Sequence, residues 1–525
     1  MQIFALIALL ISLLNLCGGA RILGVFPHHG LSHFMMFEPL MLELARKGHQ
    51  VVVISKYPHK ENVPNYEHVD VNNDAPQYTS NIPFTIFKRL PVSLREDLEA
   101  LYMYLLETEN ILNTKNFRNF MNSNRKFDLM VTEAFNSRLF YALSYKFKVP
   151  MITLSSSVMM PWASYDIANP ITPSYIPCIF SYQADKMNFF QKLENVYNVV
   201  VSVVAYETFF YRKDEELKKK YFGEDVPSLR DIANNVSLMV VNSHFTLNRP
   251  RPLIPKVIEV GGLFITQSKP IPQNIEKFIN ESKHGVVYFC MGSLLRGETF
   301  PPEKREAFLY AFSKIPQRVL WKWEGDVLPG KSDNIMISKW MPQRDILAHP
   351  NVKLFISHGG LLGTSEAVYE GVPVLGIPIF GDQRTNIKSL EANGAGELLD
   401  YNEISKEVVL EKIQRLLNDP KYKENAKLLS DRYRDRPMSP LDTAVYWTEY
   451  VIRHKGAPHL RTAAADMPWY QYLLLDVIAF IVAVLVAGLL IIYYTTKFIL
   501  RAIYGLICGG GAKKGSSKSD KKKRN

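Results

Sequence analysis

Residues 21–55 read RILGVFPHHGLSHFMMFEPLMLELARKGHQVVVIS, and this stretch decides the fold. It opens with a six-residue apolar run, continues through a loop from Pro27 to Ser32, and then follows a helical pattern that stops at Gly48. A second apolar run, from Gln50 to Ser55, comes directly afterwards. A strand, a loop, a helix ended by glycine and a second strand make a βαβ unit, so the stretch predicts a parallel sheet.

The same alternation recurs on both sides of a proline-rich segment at 248–272. Further strands are predicted at 129–132, 149–154, 286–290, 318–322, 353–357 and 374–378, and helices at 303–314, at 364–370 and from 405 onward. We interpret 248–272 as a linker between two Rossmann-like, doubly wound domains of the α/β class, at 21–247 and 273–470. Two such domains would face each other across a cleft.

Two long apolar segments predict the compartment. Residues 1–20, MQIFALIALLISLLNLCGGA, have the pattern of a cleaved secretory signal peptide. Residues 477–494 carry no charge, and with their flanks they predict a transmembrane helix at 471–496 of about the 20 residues that a bilayer needs. Tyr470 and Tyr472 precede this segment, whereas Lys497 and Arg501 follow it, so the positive-inside rule places 497–525 in the cytosol. The predicted topology is type I and single-pass, with the bulk of the chain in the lumen.

The net charge of +11 comes mostly from the tail, where nine basic residues and one acidic residue follow Thr496. The remainder is nearly neutral and shows no cluster of basic residues, so we expect no nucleic-acid partner. Lys522 and Lys523 lie in a final KKKRN, which resembles a dilysine retrieval signal of endoplasmic reticulum membrane proteins. The alternative is a polybasic tail that binds anionic lipid.

Cysteine usage and glycosylation triplets are compatible with the lumen. Of four cysteines only Cys178 and Cys290 fall between the two apolar segments, which excludes a disulfide scaffold, and no cysteine and histidine cluster has metal-ligand spacing. Asn235 and Asn280 begin the triplets NVS and NES. They are candidate glycosylation sites, although such triplets also occur by chance.

The segment richest in candidate functional residues comprises 340–350, WMPQRDILAHP, 355–366, FISHGGLLGTSE, and 376–383, GIPIFGDQ. His358, Gly359 and Gly360 follow a predicted strand and precede a predicted helix. The backbone N–H groups and the dipole of a helix start attract anions, and glycines allow a phosphate to approach closely. The arrangement predicts a pyrophosphate site.

Residues 340–383 resemble the donor-binding signature of the UDP-glycosyltransferases. The signal segment, paired domains, single span and lysine-rich tail are similar to those of the membrane-bound animal members. The resemblance implies the GT-B arrangement of the two domains, a UDP-sugar as co-substrate and no further cofactor. The tail and the HGGLLGTSEA variant look more like invertebrate members, which favours UDP-glucose; UDP-glucuronate is the alternative, with Arg384 as a candidate partner for its carboxylate.

The resemblance also implies roles for individual donor-site residues. Trp340 would stack on the uracil unless it is a core residue, Gln343 would bond uracil or ribose, and Glu366 would accept the ribose hydroxyls. His358 would face the pyrophosphate with Ser293 and the backbone at Gly360 and Gly363, and Asp382 and Gln383 would bind hydroxyls of the transferred sugar. Leu362 is a departure, because many members carry asparagine there; phosphate contact at that position is left to the backbone.

In the first half, His33 stands at a predicted helix start beside the end of the first strand. Transfer of a sugar to a hydroxyl needs a base, and the matching histidine in the family is that base. The family pairs it with an aspartate, for which this chain has Glu133, a longer carboxylate that could orient the imidazole. His28 and His29 are competing candidates.

No Asp-x-Asp pair occurs in the sequence. Metal-dependent sugar-nucleotide enzymes commonly use such a pair, so we expect no metal, and the resemblance implies a single displacement with inversion at the anomeric carbon.

The acceptor is indicated only by apolar segments at 159–162, 180–190 and 197–211, which line a pocket, touch the membrane or form core. We expect lipophilic alcohols or phenols, as in detoxification in the reticulum lumen. A catalytically silent binder of a hydrophobic ligand, or a partner of a related enzyme, is the alternative that Glu133 and Leu362 keep open. Homo-oligomerisation is left open.

Overall fold

The computed structural model describes residues 19–72, 82–86, 90, 92–183 and 186–508. The predicted signal peptide, except for its last two residues, and the tail lysines Lys522 and Lys523 lie outside the described residues. The chain divides into two compact units between Thr462 and Ala463. All three sheets, of seven, six and two strands, belong to the first unit, and the second contains a long apolar helix.

The strands alternate with helices along most of the first unit. The strands are β1 (Arg21–Phe26), β2 (Gln50–Ser55), β3 (Tyr66–Asp70), β4 (Ile82–Pro83), β5 (Leu129–Glu133), β6 (Met151–Ser155), β7 (Leu238–Val241), β8 (Val257–Glu259), β9 (Val286–Cys290), β10 (Leu295–Arg296), β11 (Arg318–Lys322), β12 (Ile335–Ser338), β13 (Val352–Ser357), β14 (Val374–Gly376) and β15 (Gly396–Leu398). The predicted parallel sheets are present, because every strand pair is parallel.

The helices connect these strands and then close the chain. They are α1 (Leu31–Arg46), α2 (Leu94–Leu112), α3 (Lys115–Met121), α4 (Ala142–Phe147), α5 (Pro161–Asp166), α6 (Phe189–Ala205), α7 (Tyr211–Phe222), α8 (Leu229–Asn234), α9 (Phe245–Asn248), α10 (Gln273–Asn280), α11 (Pro302–Ser313), α12 (Gln343–Ala348), α13 (Leu361–Glu370), α14 (Gln383–Ala392), α15 (Lys406–Asn418), α16 (Pro420–Arg434), α17 (Pro440–Arg453), α18 (Trp469–Tyr472) and α19 (Leu475–Cys508). A π-helical turn, Tyr206–Phe210, joins α6 to α7.

The first sheet has seven strands in the order β3-β2-β1-β5-β6-β7-β8, and the second has six in the order β12-β11-β9-β13-β14-β15. In the first sheet the chain runs outward from β1 to one edge and from β5 to the other, so the topological switch lies between β1 and β5. The corresponding switch in the second sheet lies between β9 and β13. In open α/β sheets ligands bind at the carboxyl ends of the strands at such a switch.

The central strands form because their apolar runs are buried on both faces. All residues of β5 and β9 are buried, as are the last five of β1. Helices cover both faces of a parallel sheet, which is why these strands read as continuous apolar runs rather than as alternating ones.

The two halves of the first unit exchange segments. Ile82 and Pro83 pair with Leu295 and Arg296 beside the second sheet, and Phe84, Leu90 and Val92 pack in its apolar core. In the other direction, α17 packs against α1, and its residues Ala444, Val445 and Val451 join the core of the first sheet. Strand β8 lies within the segment interpreted as the linker and pairs with β7, so the first sheet extends beyond residue 247.

Helix α19 is long and apolar enough to cross a bilayer, by length and composition, and it is the one such helix within the described part of the chain. It has 34 residues and continues past Lys497 to Cys508, beyond the predicted end at 496. At 1.5 Å per residue its length is roughly 50 Å, which exceeds a hydrocarbon core of about 30 Å.

A buried ion network holds the loop that follows β5. Arg138 is 1% exposed, and its side chain pairs with Asp166 of α5 and with Glu207 of the π-helical turn. Its backbone N–H donates to Asp214 of α7 at 2.7 Å. The guanidinium also lies 4.6 Å from the ring centre of Tyr206.

Arg138→Met is therefore expected to destabilise the protein by about 3–5 kcal/mol, because it leaves the buried Asp166 carboxylate without its ion-pair partner, whereas Glu207 keeps Arg230. The measurement is the urea midpoint of the full-length chain in detergent. Arg95→Met is the matched control, since Arg95 and Glu99 form an exposed pair on α2. Equal midpoints for the two variants would contradict the assignment of the network as structural.

Candidate active site

His33 and Glu133 meet where β1 and β5 end. His33 is the third residue of α1, Glu133 is the last residue of β5, and His33 Nδ1 lies 2.5 Å from Glu133 Oε1. Glu133 is buried, whereas His33 is partly exposed. Ser156, just after β6, donates its Oγ hydrogen to Glu133 Oε1 at 2.9 Å and lies 2.9 Å from His33 Nδ1. The contact through Nδ1 turns the opposite nitrogen, Nε2, away from the carboxylate.

His28 is engaged differently from His33. Its Nδ1 accepts a hydrogen bond from the backbone N–H of Gly30 at 2.9 Å, and its ring stacks on that of His33 at 3.9 Å between ring centres. Burial lowers the pKa of His28 well below 6.5, and the positive charges of His33, His29 and Lys56 act in the same direction. His28 is poorly suited to be the base, because its Nδ1 lone pair is occupied and its lowered pKa makes the ring a weak proton acceptor.

His29 connects the loop after β1 to the end of β2 and to α2 through polar contacts of its buried ring. Its Nδ1 lies 2.5 Å from Lys56 Nζ, and its Nε2 lies 2.9 Å from a carboxylate oxygen of Glu107 on α2. Burial, together with the charge of Lys56, lowers the pKa of His29 to about 4. Both ring nitrogens are engaged, which leaves His33 as the best-placed base of the three histidines.

The same residues satisfy a simple distance test for a metal site. Among the described residues, His28, His33 and Glu133 form the one group whose candidate ligand atoms all lie within 4.8 Å of one another. Nδ1 of His28 and Nδ1 of His33 are both occupied by the hydrogen bonds already described. The arrangement therefore fits a base and its orienting acid better than a metal cage, and independence from metal stays a prediction.

An aromatic cavity adjoins the histidine pair. Its lining combines aromatic rings with polar groups: Tyr104, Phe135, Phe140, Tyr141, His28, His29, Thr108, Glu133, Asn136 and Ser137. Aromatic walls beside a few polar groups are typical of sites for small apolar ligands.

The apolar segments at 159–162 and 197–211 lie mainly outside this cavity. Met159, Met160 and Trp162 are buried in the core, as are Tyr206 and Phe210. The outward face of α6 carries an exposed stripe instead, formed by Phe189, Phe190, Leu193, Tyr197, Val200 and Val204.

On the opposite sheet, His358 and Gly360 lie at the switch between β9 and β13, just before α13. Burial lowers the pKa of His358 to about 4, and Lys322 acts in the same direction, so the ring is neutral. A Cβ at Gly292 or at Gly360 would overlap this ring, which explains both glycines. Gly360 precedes the first turn of α13, whose free N–H groups form the predicted anion site. Ser293, in the turn after β9, is partly buried.

Gln343 and Glu366 form a pair beside this helix start. Gln343 Nε2 donates to Glu366 Oε2 at 2.6 Å, and a Cβ at Gly363 would lie 3.0 Å from Gln343 Nε2. Burial raises the pKa of Glu366 to about 7, although the Gln343 hydrogen bond and the charge of Arg344 oppose the rise. Trp340 is 67% exposed, so it is not a core residue and its face is open for stacking.

Asp382 and Gln383 begin α14 on the loop after β14. Gln383 is buried, and its Oε1 accepts the backbone N–H groups of Ile379 and Phe380 at 2.8 and 3.1 Å. The oxygen therefore shapes the loop, and only the amide N–H groups are left for a sugar. Asp382 Oδ2 accepts a hydrogen bond from Asn386 at 2.9 Å.

Three residues differ from, or add to, what the sequence indicates. Leu362 is partly buried against the core of the first sheet, so the leucine that replaces asparagine has a packing role. Ser156 directly follows the end of a strand, and this position is the sequence signal by which it could have been identified. Asp97 of α2 binds the backbone of Gly381 across 284 positions of sequence, and no local pattern points to it.

Arg384 is engaged away from Asp382 and Gln383. Its guanidinium lies 4.4 Å from the ring centre of Tyr182 and 3.5 Å from a carboxylate oxygen of Asp400.

The two candidate glycosylation sites lie on the surface. Asn235 is exposed, and its Nδ2 donates to the backbone of Asp231. Asn280 is exposed at the end of α10, with its Oδ1 3.1 Å from His349 Nε2. Cys178 and Cys290 are both buried and free.

Two doubly wound halves, with a histidine and carboxylate pair on one sheet and a helix start on the other, define a glycosyltransferase of the GT-B class. Solved structures share this fold: the glycotransferase of kitacinnamycin superposes with a TM-score of 0.56 at 16% identity, over 83% of this chain and 99% of that one. The predicted fold class is confirmed.

A family model described as UDP-glucoronosyl and UDP-glucosyl transferase matches residues 21–509. UDP-glycosyltransferase UGT5 of Dactylopius coccus is 58% identical over 518 residues, which cover 97% of this chain and 98% of that protein. UDP-glucosyltransferase 2 of the same organism is 40% identical over 530 residues, 99% of each chain. The chain belongs to the UDP-glycosyltransferase family, as the sequence resemblance predicted, and a UDP-sugar is its donor.

Glu366 generates a prediction about pH. Because its pKa is about 7, it is mostly protonated at pH 6 and mostly ionised at pH 8. The ionised form is the better acceptor for ribose hydroxyls, so the affinity for UDP-glucose should rise by up to about tenfold between these pH values.

Glu366→Gln removes the titrating group and serves as the control for every other group that titrates in this range. The measurement is the dissociation constant of UDP-glucose by calorimetry at pH 6, 7 and 8 in both proteins. Parallel pH slopes in wild type and variant would rule out Glu366 as the cause.

Proposed function

We propose that this chain transfers a hexosyl group, preferably glucose, from a UDP-sugar to a hydroxyl of small lipophilic acceptors, with inversion and without a metal. The observation that carries the proposal is the contact between His33 and Glu133 at the switch point of the first sheet. Its position opposite the donor-side elements is supported by electrostatics: burial raises the pKa of Asp382, and the charge of His33 opposes that rise.

In the proposed reaction the acceptor hydroxyl binds at Nε2 of His33. The proton moves to Nε2 as the oxygen attacks the anomeric carbon, and the bond from that carbon to the UDP oxygen breaks on the opposite face. Glu133 stabilises the imidazolium that forms. The N–H groups at the start of α13 stabilise the negative charge that develops on UDP.

Several observations support the details of this proposal. The aromatic cavity beside Glu133 favours an apolar acceptor. The 40% identical relative named a UDP-glucosyltransferase favours glucose, and Arg384, the candidate partner for glucuronate, is engaged by Tyr182 and Asp400. The replacement of aspartate by Glu133 preserves the contact with His33, which favours an enzyme over a silent binder.

The site of action that we propose is the lumenal side of the endoplasmic reticulum membrane. The candidate span at α19 and the exposed positions of Asn235 and Asn280 support it. Glycosidase sensitivity of Asn→Gln variants at the two positions tests the lumenal orientation.

The central test is UDP release by microsomes that express the full chain, with UDP-glucose or UDP-glucuronate and a panel of phenols, without added metal. His33→Ala is expected to lower turnover by about 10²–10⁴-fold, because it removes the base. His284→Ala, at an exposed histidine, is the matched control. Turnover that survives in His33→Ala contradicts the base assignment, and silence of wild type with retained donor binding favours the binder.

Glu133 provides an independent prediction. Glu133→Gln keeps the size of the side chain but removes its charge, so kcat should fall by about 10²-fold or more while KM for the donor changes little. Glu133→Asp keeps the charge on a shorter arm, and it should retain more activity than Glu133→Gln. Equal activity of both variants would show that the carboxylate does not assist His33.

A further inference from the structure

The side chain of Asp97 connects the first half of the chain to the loop after β14 in the second half, the loop that leads into Asp382 and Gln383. It lies in the first turn of α2, is 8% exposed, and accepts a hydrogen bond through Oδ1 from the backbone N–H of Gly381 at 3.0 Å. Gly381 has a φ of +63°, which favours glycine, and it immediately precedes Asp382 and Gln383. The side chain thus fixes the backbone at the start of the pair that the proposed function assigns to the sugar.

Other contacts from the first half reach the same loop. The N–H of Val92 donates to the Ile379 carbonyl at 3.3 Å, and Thr385 Oγ1 donates to the carbonyls of Ile179 and Ser181 at 3.2 and 3.1 Å. On the first-half side these contacts use backbone atoms, which any sequence could supply. In this set only Asp97 contributes a side chain from the first half, and that side chain carries a charge.

The charges around the loop are predominantly acidic. Burial raises the pKa of Asp97 to about 7, and the charges of Asp382 and Glu96 act in the same direction, whereas the bond from Gly381 opposes them. Asp382 in turn interacts with His33. Asp97 therefore lies beside the backbone that leads into Asp382, and the guanidinium of Arg384 lies over Tyr182 and near Asp400.

We infer that Asp97 is a specificity-determining and positioning residue for the donor sugar: its carboxylate holds the Gly381 loop over the sugar and disfavours a donor that carries a carboxylate of its own. The inference rests on the proposed function, because it presumes that the sugar lies beside Asp382. A third carboxylate beside Asp97 and Asp382 meets like charge, and the neighbouring cation, Arg384, is already engaged by Tyr182 and Asp400. A neutral hexose meets no such repulsion, and its hydroxyls can donate to either acid.

Two variants separate the effect of the Asp97 charge from the effect of its hydrogen bond to Gly381. In Asp97→Asn the side-chain oxygen can still accept from Gly381, so the loop stays in place but the charge is lost. In Asp97→Ser the shorter side chain loses both the charge and the hydrogen bond to Gly381. Glu99→Gln is the matched control, because it removes an exposed carboxylate from the same helix.

The experiment compares kcat/KM for UDP-glucose and UDP-glucuronate with one phenol at pH 8, where Asp97 is mostly ionised, in the full-length chain in detergent. The dissociation constant of UDP, which lacks the sugar, is measured in parallel. We expect Asp97→Asn to raise the ratio of glucuronate to glucose transfer by about tenfold, the size of one close charge interaction. Asp97→Ser should raise KM for UDP-glucose severalfold, and UDP affinity should be unchanged in all three variants.

The outcomes distinguish this inference from the proposed function. An unchanged donor ratio in Asp97→Asn, or a wild type that prefers UDP-glucuronate, overturns the inference and leaves the transferase intact. Loss of UDP binding in both Asp97 variants makes the residue merely structural and also overturns it. Wild type that binds UDP but transfers neither sugar refutes the proposed function itself.

Discussion

The pairing of β1 with β5 is the constraint on which the site depends. The parallel register places Val25 opposite Thr132, so the next positions are the end of β1 and Glu133. Because the chain turns from β1 into α1 within a few residues, His33 at the start of that helix reaches the Glu133 carboxylate. A slip of one residue in this register would turn Glu133 to the other face of the sheet. The second sheet repeats the constraint between β9 and β13, where it sets His358 beside Gly292.

The exchange of segments between the halves determines how the two switch points act together. Residues 82–84, 90 and 92 belong by sequence to the first half but pack beside the second sheet, and α17 returns from the second half to the first. Each half therefore packs against a segment of chain that the other supplies, and the hydrogen bond between Asp97 and Gly381 also joins the two halves. Such crossings restrict relative motion of the halves, which reduces the ordering that donor binding must impose.

How well each strand or site residue can be predicted depends on whether its sequence signal is local or lies in distant segments. The bounds of β1, β2 and β9 match their apolar runs because buried parallel strands are apolar on both faces. Edge strands such as β3 are partly exposed and carry no such run, so they were not predicted. His33 and Glu133 were predicted from the family resemblance and their positions at a helix start and a strand end, whereas the contact of Asp97 with Gly381 joins segments distant in sequence and leaves no local signal.

The distribution of charge among the histidines explains why one of them can serve as the base. Burial keeps His28, His29 and His358 neutral, and Lys56 or Lys322 adds to that effect. A proton on His28 or His358 would place a positive charge in a buried site without a matched acid. His29 does contact the carboxylate of Glu107, but that carboxylate already interacts with the charge of Lys56. His33 alone among the four combines partial exposure with a buried carboxylate at 2.5 Å. A proton taken from an acceptor hydroxyl therefore has one favourable destination, and the stacked ring of His28, whose pKa is lowered by burial, does not compete for it.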